Sequence, residues 1–308
     1  MGSILRIVKG ALIFMSWIIL LSSCDKSKEI SNDPAFVKVE QEWRENRDER
    51  MKSPTSWLTI AGLFWLEEGE NTFGTDHDNR LQLPEGSAPK FAGKYIVKDG
   101  EVTVVSSSKA ILKHEEKVIQ KMVLKSDRTG KADIVELNDL RMWVIERGDR
   151  LAIRMRDFNT PRFTNYTGLN FYPPNQKFQI KGEFVPYSPL KTITVGTVIG
   201  TESNMVSPGY VKFKIGRKEY KLDGFGTGPE PKSLFFVIKD KTSGEETYGA
   251  SRFMGAEVFE DGSVDLNFNR AYNPPCAYTP YATCPLPPPQ NILPVKIEAG
   301  EKNYGQGH

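Results

Sequence analysis

The sequence predicts a mainly β protein: an N-terminal helix, a β-sandwich, and a second β domain of barrel or sandwich type. Two observations carry that prediction. Beyond Ser53-Pro54, short β-type runs are punctuated by turn signals such as Lys98-Asp99-Gly100, Thr242-Ser243-Gly244 and Glu260-Asp261-Gly262, a pattern of sandwiches and barrels rather than of βαβ units. The chain's 308 residues also exceed what one core of about 100–150 residues needs. No internal repeat is present.

The N-terminus opens with Arg6 and Lys9, followed by an apolar run from Ala11 to Leu21. That run is well short of the ~20 residues a membrane-spanning helix requires. It ends in Leu21-Ser22-Ser23-Cys24, which resembles a bacterial lipobox. The resemblance implies cleavage before Cys24 and lipidation of its thiol and new amino group, an anchor made stable by more than one acyl chain. The expected partition is a signal peptide over 1–23, a tether over 24–33, helix plus sandwich over 34–145, and a second β domain over 146–308. The protein is then expected in the cell envelope, facing the periplasm or the exterior, with the membrane as one partner.

Charge narrows the remaining partners. The chain carries 41 Lys and Arg against 39 Asp and Glu, and removing Arg6 and Lys9 with the signal leaves the two signs equal. A balanced chain lacks the basic footprint of a nucleic-acid binder. With 39% hydrophobic residues, it is expected to fold rather than to stay disordered.

Asp33-Pro34 reads as a helix start, Asp as N-cap and Pro at the first helical position. The helix is expected to run to about Met51, with Phe36, Val39 and Trp43 on one stripe and Arg44, Arg47 and Arg50 on a solvated face. Strands are expected at Trp57–Ile60, Tyr95–Val97, Val102–Val105, Ile134–Leu137 and Arg141–Arg147. In the second half they fall at Ala152–Arg156, Phe178–Pro186, Ile193–Thr197, Gly209–Ile215, Leu234–Lys239, Glu246–Met254 and Ser263–Asn269. Eight of the 20 prolines lie between Asn273 and Pro294, predicting a stiff strap over the barrel or the domain seam.

Two stretches resemble known families. Leu66-Glu67-Glu68-Gly69, Gly74 and Arg80-Leu81-Gln82-Leu83-Pro84 look like the opening of a forkhead-associated sandwich. Thr75 replaces that family's arginine, and Pro89–Gly93 offers no Ser-x-x-His, so the resemblance implies a scaffold and not phosphothreonine binding. Tyr248–Phe253, Asp265–Asn269, Ala271–Cys276, Thr283–Pro288 and Ala299–Lys302, with Trp57-Leu58 and Gly62–Leu66, resemble the bacterial domain of unknown function 1684 family. That resemblance covers nearly the whole mature chain and implies architecture, with no activity to carry over.

Chemistry is scarce. No Gly-x-Ser-x-Gly elbow, Walker loop, His-Glu-x-x-His pair or Cys-x-x-Cys occurs. His77, His114 and His308 lie far apart. No cofactor or metal is expected. An exported chain permits a disulfide, so Cys276 and Cys284 read as a structural bridge, with free thiols or a reactive pair as the alternatives.

Alternation places Asp265, Asn267 and Asn269 on one face of their strand, either as its solvent side or as the lining of a cavity. A hairpin between 246–254 and 263–269 would set Arg252 opposite Asp265 or Asn267, as a structural pair or an anion site. The ligand-binding candidates are therefore Arg154, Tyr248, Arg252, Asp265, Asn267, Asn269, Asn273 and Glu301. The function they support is the binding of a small polar ligand, a glycan or an envelope protein. The rival is a hydrolase with Asp265 as general base and Arg252 as electrostatic stabiliser.

Overall fold

The computed structural model describes residues 32–305; the signal, the Cys24 lipidation motif and most of the tether lie outside the described residues. No helix among the described residues is long and apolar enough to cross a membrane. The chain opens with α1 (Pro34–Met51), capped as its sequence predicts, the Asp33 carboxylate accepting from the Ala35 amide at 2.9 Å.

The sandwich follows as β1 (Ile60–Trp65), β2 (Gly69–Gly74), β3 (Leu81–Gln82), β4 (Gly93–Lys98), β5 (Glu101–Ser106), β6 (Leu112–His114), β7 (Lys117–Ile119), β8 (Lys121–Leu124), β9 (Val135–Leu137), β10 (Leu140–Arg147) and β11 (Arg150–Asp157). A six-stranded sheet, β1-β11-β10-β9-β6-β7, accompanies a five-stranded sheet, β3-β2-β4-β5-β8. Period-2 alternation drives the layering. On β10, Leu140, Met142 and Val144 point inward while Arg141 and Trp143 do not. The inward residues join Phe73, Tyr95, Leu112 and Ile153 in one core. Strand β11 pairs along the whole of β10, so the sandwich extends to Asp157 and the expected boundary at 145–146 falls inside this hairpin.

After a single helical turn, α2 (Pro161–Thr164), come β12 (Gln179–Gly196), β13 (Glu202–Ile215), β14 (Lys218–Gly224), β15 (Ser233–Ile238), β16 (Arg252–Glu257) and β17 (Ser263–Asn267). They form a four-stranded sheet, β14-β13-β12-β17, and a β15-β16 ribbon. The two expected strands at 178–186 and 193–197 are one strand with a register break between Pro186 and Lys191. Val211, Phe236, Met254, Leu266, Phe268 and Ile297 share the second core.

Four expectations are corrected by this topology. Trp57–Thr59 is a 3₁₀ turn that leads into β1. The 246–254 segment becomes a strand only at Arg252, because a turn around Thr242 takes up the backbone before it: the amides of Glu246 and Thr247 both donate to the Thr242 carbonyl. Strand β17 stops at Asn267, whose side chain accepts from the Asn269 amide at 3.1 Å and opens a 3₁₀ turn over Phe268–Arg270. Asn is better suited to such a cap than to a strand interior. Finally, β16 pairs with β15 and β17 with β12, so the expected hairpin between them does not form.

The proline-rich strap ties the two halves together. The Thr279 hydroxyl donates to the Ile60 carbonyl at 2.9 Å, the Val198 amide donates to the Cys284 carbonyl at 3.0 Å, and Lys239 bridges Ile292. The chain from Asn32 onward is one compact unit.

Candidate functional site

Helix α1 keeps part of the expected stripe, with Phe36 and Trp43 half-buried and Arg50 exposed, but it also turns Glu40, Arg44 and Arg47 inward. Val39 is 49% exposed, whereas Glu40 is 1% exposed. The inward charges of Glu40, Arg47 and Asp48 each have a partner. Glu40 accepts from Asn267 Nδ2 at 2.9 Å and pairs with Arg270 at 3.0 Å. Arg47 Nε donates to Glu301 at 2.7 Å, and its guanidinium lies 4.8 Å over the Tyr272 ring. The Asp48 carboxylate accepts from the Tyr166 hydroxyl and the Leu169 amide.

Burial pushes the Asp48 carboxyl up, but the hydrogen bonds from Tyr166, Lys52 and Leu169 outweigh it and hold it below the usual carboxylate range. A depressed folded value gives stability that is present above pH about 4 and is lost as pH falls through it. Asp48→Asn is therefore expected to be less stable than wild type at neutral pH, with the gap closing in urea titrations as pH drops from about 5 toward 3.

Docked in this way, α1 forms one wall of a cleft of about 690 Å³. Trp43, Arg47 and Arg50 come from the helix and Trp57 from the turn after it; Glu257, Asp265, Asn267, Arg270 and Tyr272 come from β16, from β17 and from the turn after β17. Asp265 Oδ2 accepts from Gln179 at 2.9 Å. Among the described residues Arg50 makes no ion pair, so its guanidinium is uncommitted. Burial raises the Tyr272 hydroxyl above its ordinary value, keeping that wall neutral. The cleft thus offers guanidinium donors, aromatic faces and two carboxylates. That set suits recognition of a polar or anionic ligand.

Of the eight candidates from the sequence, Asp265 and Asn267 line this cleft. Three others stand behind it. Asn269 is fully buried, bonding the Asn175 amide at 2.8 Å and carbonyl at 2.9 Å. Glu301 accepts from Arg47, from the Asn273 amide at 2.8 Å and from the Tyr278 hydroxyl at 2.8 Å, and Asn273 Nδ2 donates to the Lys302 carbonyl at 2.7 Å.

The remaining three lie elsewhere. Arg252 does not face Asp265: it is wholly buried, pairs with Asp240 at 2.6 Å and donates to the Ala299 and Ile297 carbonyls. It is therefore out of reach as a stabiliser for chemistry at Asp265. The Tyr248 hydroxyl donates to the Cys276 carbonyl at 3.2 Å, in the seam. Arg154 is buried 5.4 Å from the Trp57 ring, without a hydrogen bond or ion pair among the described residues.

Burial lowers Arg154 to about 10. A buried cation without a counter-ion is a net cost. Arg154→Met is therefore expected to hold or raise the thermal midpoint, and a loss above about 1 kcal/mol would contradict this reading.

Cys276 and Cys284 are free, and the expected bridge is not formed. The Cys276 amide donates to Cys284 Sγ at 3.2 Å. Hydrogen bonding between the thiols lowers Cys276 and raises Cys284. Among the described residues, Asp76, His77 and Asp78 bring ligand-type atoms within 4.8 Å of one another, in one solvent-facing turn.

The residues missed from the sequence are Trp43, Arg47, Arg50, Trp57, Arg270 and Tyr272. The available signal was Trp43 with arginines at helical spacing, and Arg270 directly after the Asp-x-Asn-x-Asn run.

Fold and cleft together define a mainly β protein whose docked helix walls a polar cleft. Residues 164–302 match the family described as "Protein of unknown function (DUF1684)", the family that the Asn-Pro-Pro-Cys and Cys-Pro-Leu-Pro runs resemble. The match covers the second half and leaves Trp57-Leu58 and Gly62–Leu66 outside it. No curated protein matches the chain.

Among solved structures, an uncharacterized protein of Haloarcula marismortui is 26% identical, covering 45% of this chain and 78% of its own, with a TM-score of 0.39. Two forkhead-associated domains are each 14% identical with TM-scores of 0.22, and each covers 30% of this chain. One comes from work on phosphothreonine-dependent interactions and is covered over 92% of its length. The other, the FhaA domain in complex with an intracellular domain, is covered over 97%.

Proposed function

We propose that this protein is a non-catalytic binding protein of the cell envelope, anchored through a lipidated Cys24, which holds a polar, anionic ligand in the cleft beside α1. The observation that carries the reading is the gathering of Arg50, whose guanidinium has no carboxylate partner among the described residues, with Trp43, Trp57 and Tyr272 around Asp265, while Arg47 and Arg270 are held by Glu301 and Glu40. Guanidinium groups bind carboxylates and phosphates in a planar, bidentate way. Aromatic walls with a few placed polar groups are the usual make-up of small-ligand pockets. An acidic glycan meets both requirements, its carboxylate at Arg50 and its hydroxyls at Asp265 and Glu257.

The test is a thermal-shift screen of the mature chain against acidic glycans, their neutral counterparts and cell-wall fragments. An acidic ligand is expected to raise the midpoint, and Arg50→Ala to weaken its binding about tenfold, equivalent to about 1.4 kcal/mol. Silence from every class, or Arg50→Ala and Trp43→Ala binding like wild type, sinks the proposal. The anchor is tested separately by metabolic labelling with a fatty acid. Wild type is expected to take up label and Cys24→Ser none; equal labelling contradicts the anchor.

A further inference from the structure

A second groove, of about 1040 Å³, lies against the outer face of the six-stranded sheet and shares no lining residue with the first cleft. Its base comes from strand alternation: Arg141 and Trp143 on β10 and Arg156 on β11 face away from the core. Residues from Lys125 to Glu136 line it, Phe158 contributes a ring, and Ile134 is 44% exposed. The rings carry cations, with the Arg156 guanidinium 5.3 Å from the Trp143 ring and that of Arg141 5.3 Å from Phe158.

The lining carries four basic side chains, Lys125, Lys131, Arg141 and Arg156, and four acidic ones, Glu115, Asp127, Asp133 and Glu136, but they are not all paired with one another. Asp127 pairs with Arg147 at 2.8 Å, and Glu136 with Arg141 at 3.2 Å. Asp133 accepts from the Lys125 amide at 2.8 Å and lies 3.8 Å from His114. Among the described lining residues, Arg156, Lys125 and Lys131 have no carboxylate partner, while Glu115 has no basic partner and Asp133 faces only His114, which is charged only when protonated. Arg156 is held by neutral oxygens alone: the Thr59 hydroxyl at 2.7 Å and the Ser56 and Pro54 carbonyls. Burial lowers it to about 10, in keeping with a cation short of both water and counter-charge.

We propose that this groove is a binding site for an amphiphilic anion, with its apolar body between Trp143, Phe158 and Ile134 and its acidic head at Arg156. Arg156 is fixed in place by Thr59 and Ser56 before any ligand arrives, so little ordering opposes binding. A desolvated guanidinium favours a carboxylate or sulfonate over a neutral group. The site does not depend on the first cleft, and either can fail alone.

The probe is 8-anilinonaphthalene-1-sulfonate, titrated into the mature chain alongside 1-anilinonaphthalene, which has the same rings and no sulfonate. The expected result is saturable binding of the sulfonate at one site per chain, quenching of tryptophan emission, and at least tenfold weaker binding of the neutral compound. Trp143→Leu and Arg156→Gln are each expected to weaken the sulfonate about tenfold, Arg156→Lys less, and Arg50→Ala not at all. Equal affinity for the charged and uncharged probes overturns the assignment and needs no variant. So do Trp143→Leu and Arg156→Gln binding within twofold of wild type, or Arg50→Ala abolishing binding.

Discussion

Arg252→Met is expected to cost the protein about 3–5 kcal/mol, the toll of breaking a buried ion pair by removing one partner. The Arg252 and Asp240 side chains are both 0% exposed and 2.6 Å apart. Removing the guanidinium leaves the Asp240 charge facing only the Thr242 hydroxyl and amide and the Ile297 amide. It also frees the Ala299 and Ile297 carbonyls, so the C-terminal segment loses its hold on β16. For a fold of this size the thermal midpoint should fall by about 10 °C. Asp240→Asn combined with Arg252→Met should be less damaging than the two single losses added together, because neither charge is then stranded. A midpoint unchanged in Arg252→Met contradicts the structural role given to this pair.

The second large effect concerns the helix clamp, where Arg47→Met is expected to cost more than Glu301→Gln. The Glu301 side chain is 0% exposed and that of Arg47 13%. Removing Arg47 therefore leaves a carboxylate stranded in the interior, held by the Asn273 amide and the Tyr278 hydroxyl. Removing the Glu301 charge leaves a guanidinium nearer to water, still in reach of the Tyr272 face. About 3 kcal/mol for Arg47→Met and about half that for Glu301→Gln are the expected sizes, read by urea denaturation. Both variants should also expose α1 to limited proteolysis before the β units open. If the helix is no more protease-sensitive than in wild type, the clamp does not hold it.

The strands were the most legible part of the sequence, because alternation is local. Leu140, Met142 and Val144 announce their inward face within five residues of chain, and Asp33-Pro34 marks the helix start in two. The cleft was less legible because its organising contacts join distant segments. Glu40 meets Asn267 and Arg270, and Arg47 meets Glu301, across most of the chain. Read alone, the α1 arginines look like a solvated face; Arg50 stays exposed, and Arg47 turns inward because Glu301 arrives from the C-terminal end. The polar run at 265–269 did signal the right neighbourhood, but its alternation fails at Asn267, where the side chain caps a turn. Arg252 misled because strand partners, unlike strand faces, are set by topology: β16 joins β15, and its arginine, paired with Ile238, meets Asp240 just past the end of β15.

Ligand binding in the cleft beside α1 is the central claim about this protein. Hydrogen–deuterium exchange with and without the strongest ligand from the glycan screen tests that placement directly. Protection is predicted in α1 around Trp43–Arg50 and in the segments around Gly255–Phe259 and Asp265–Tyr272, the walls of the cleft. Protection confined to the sandwich, with those three segments exchanging as in the free protein, would contradict it.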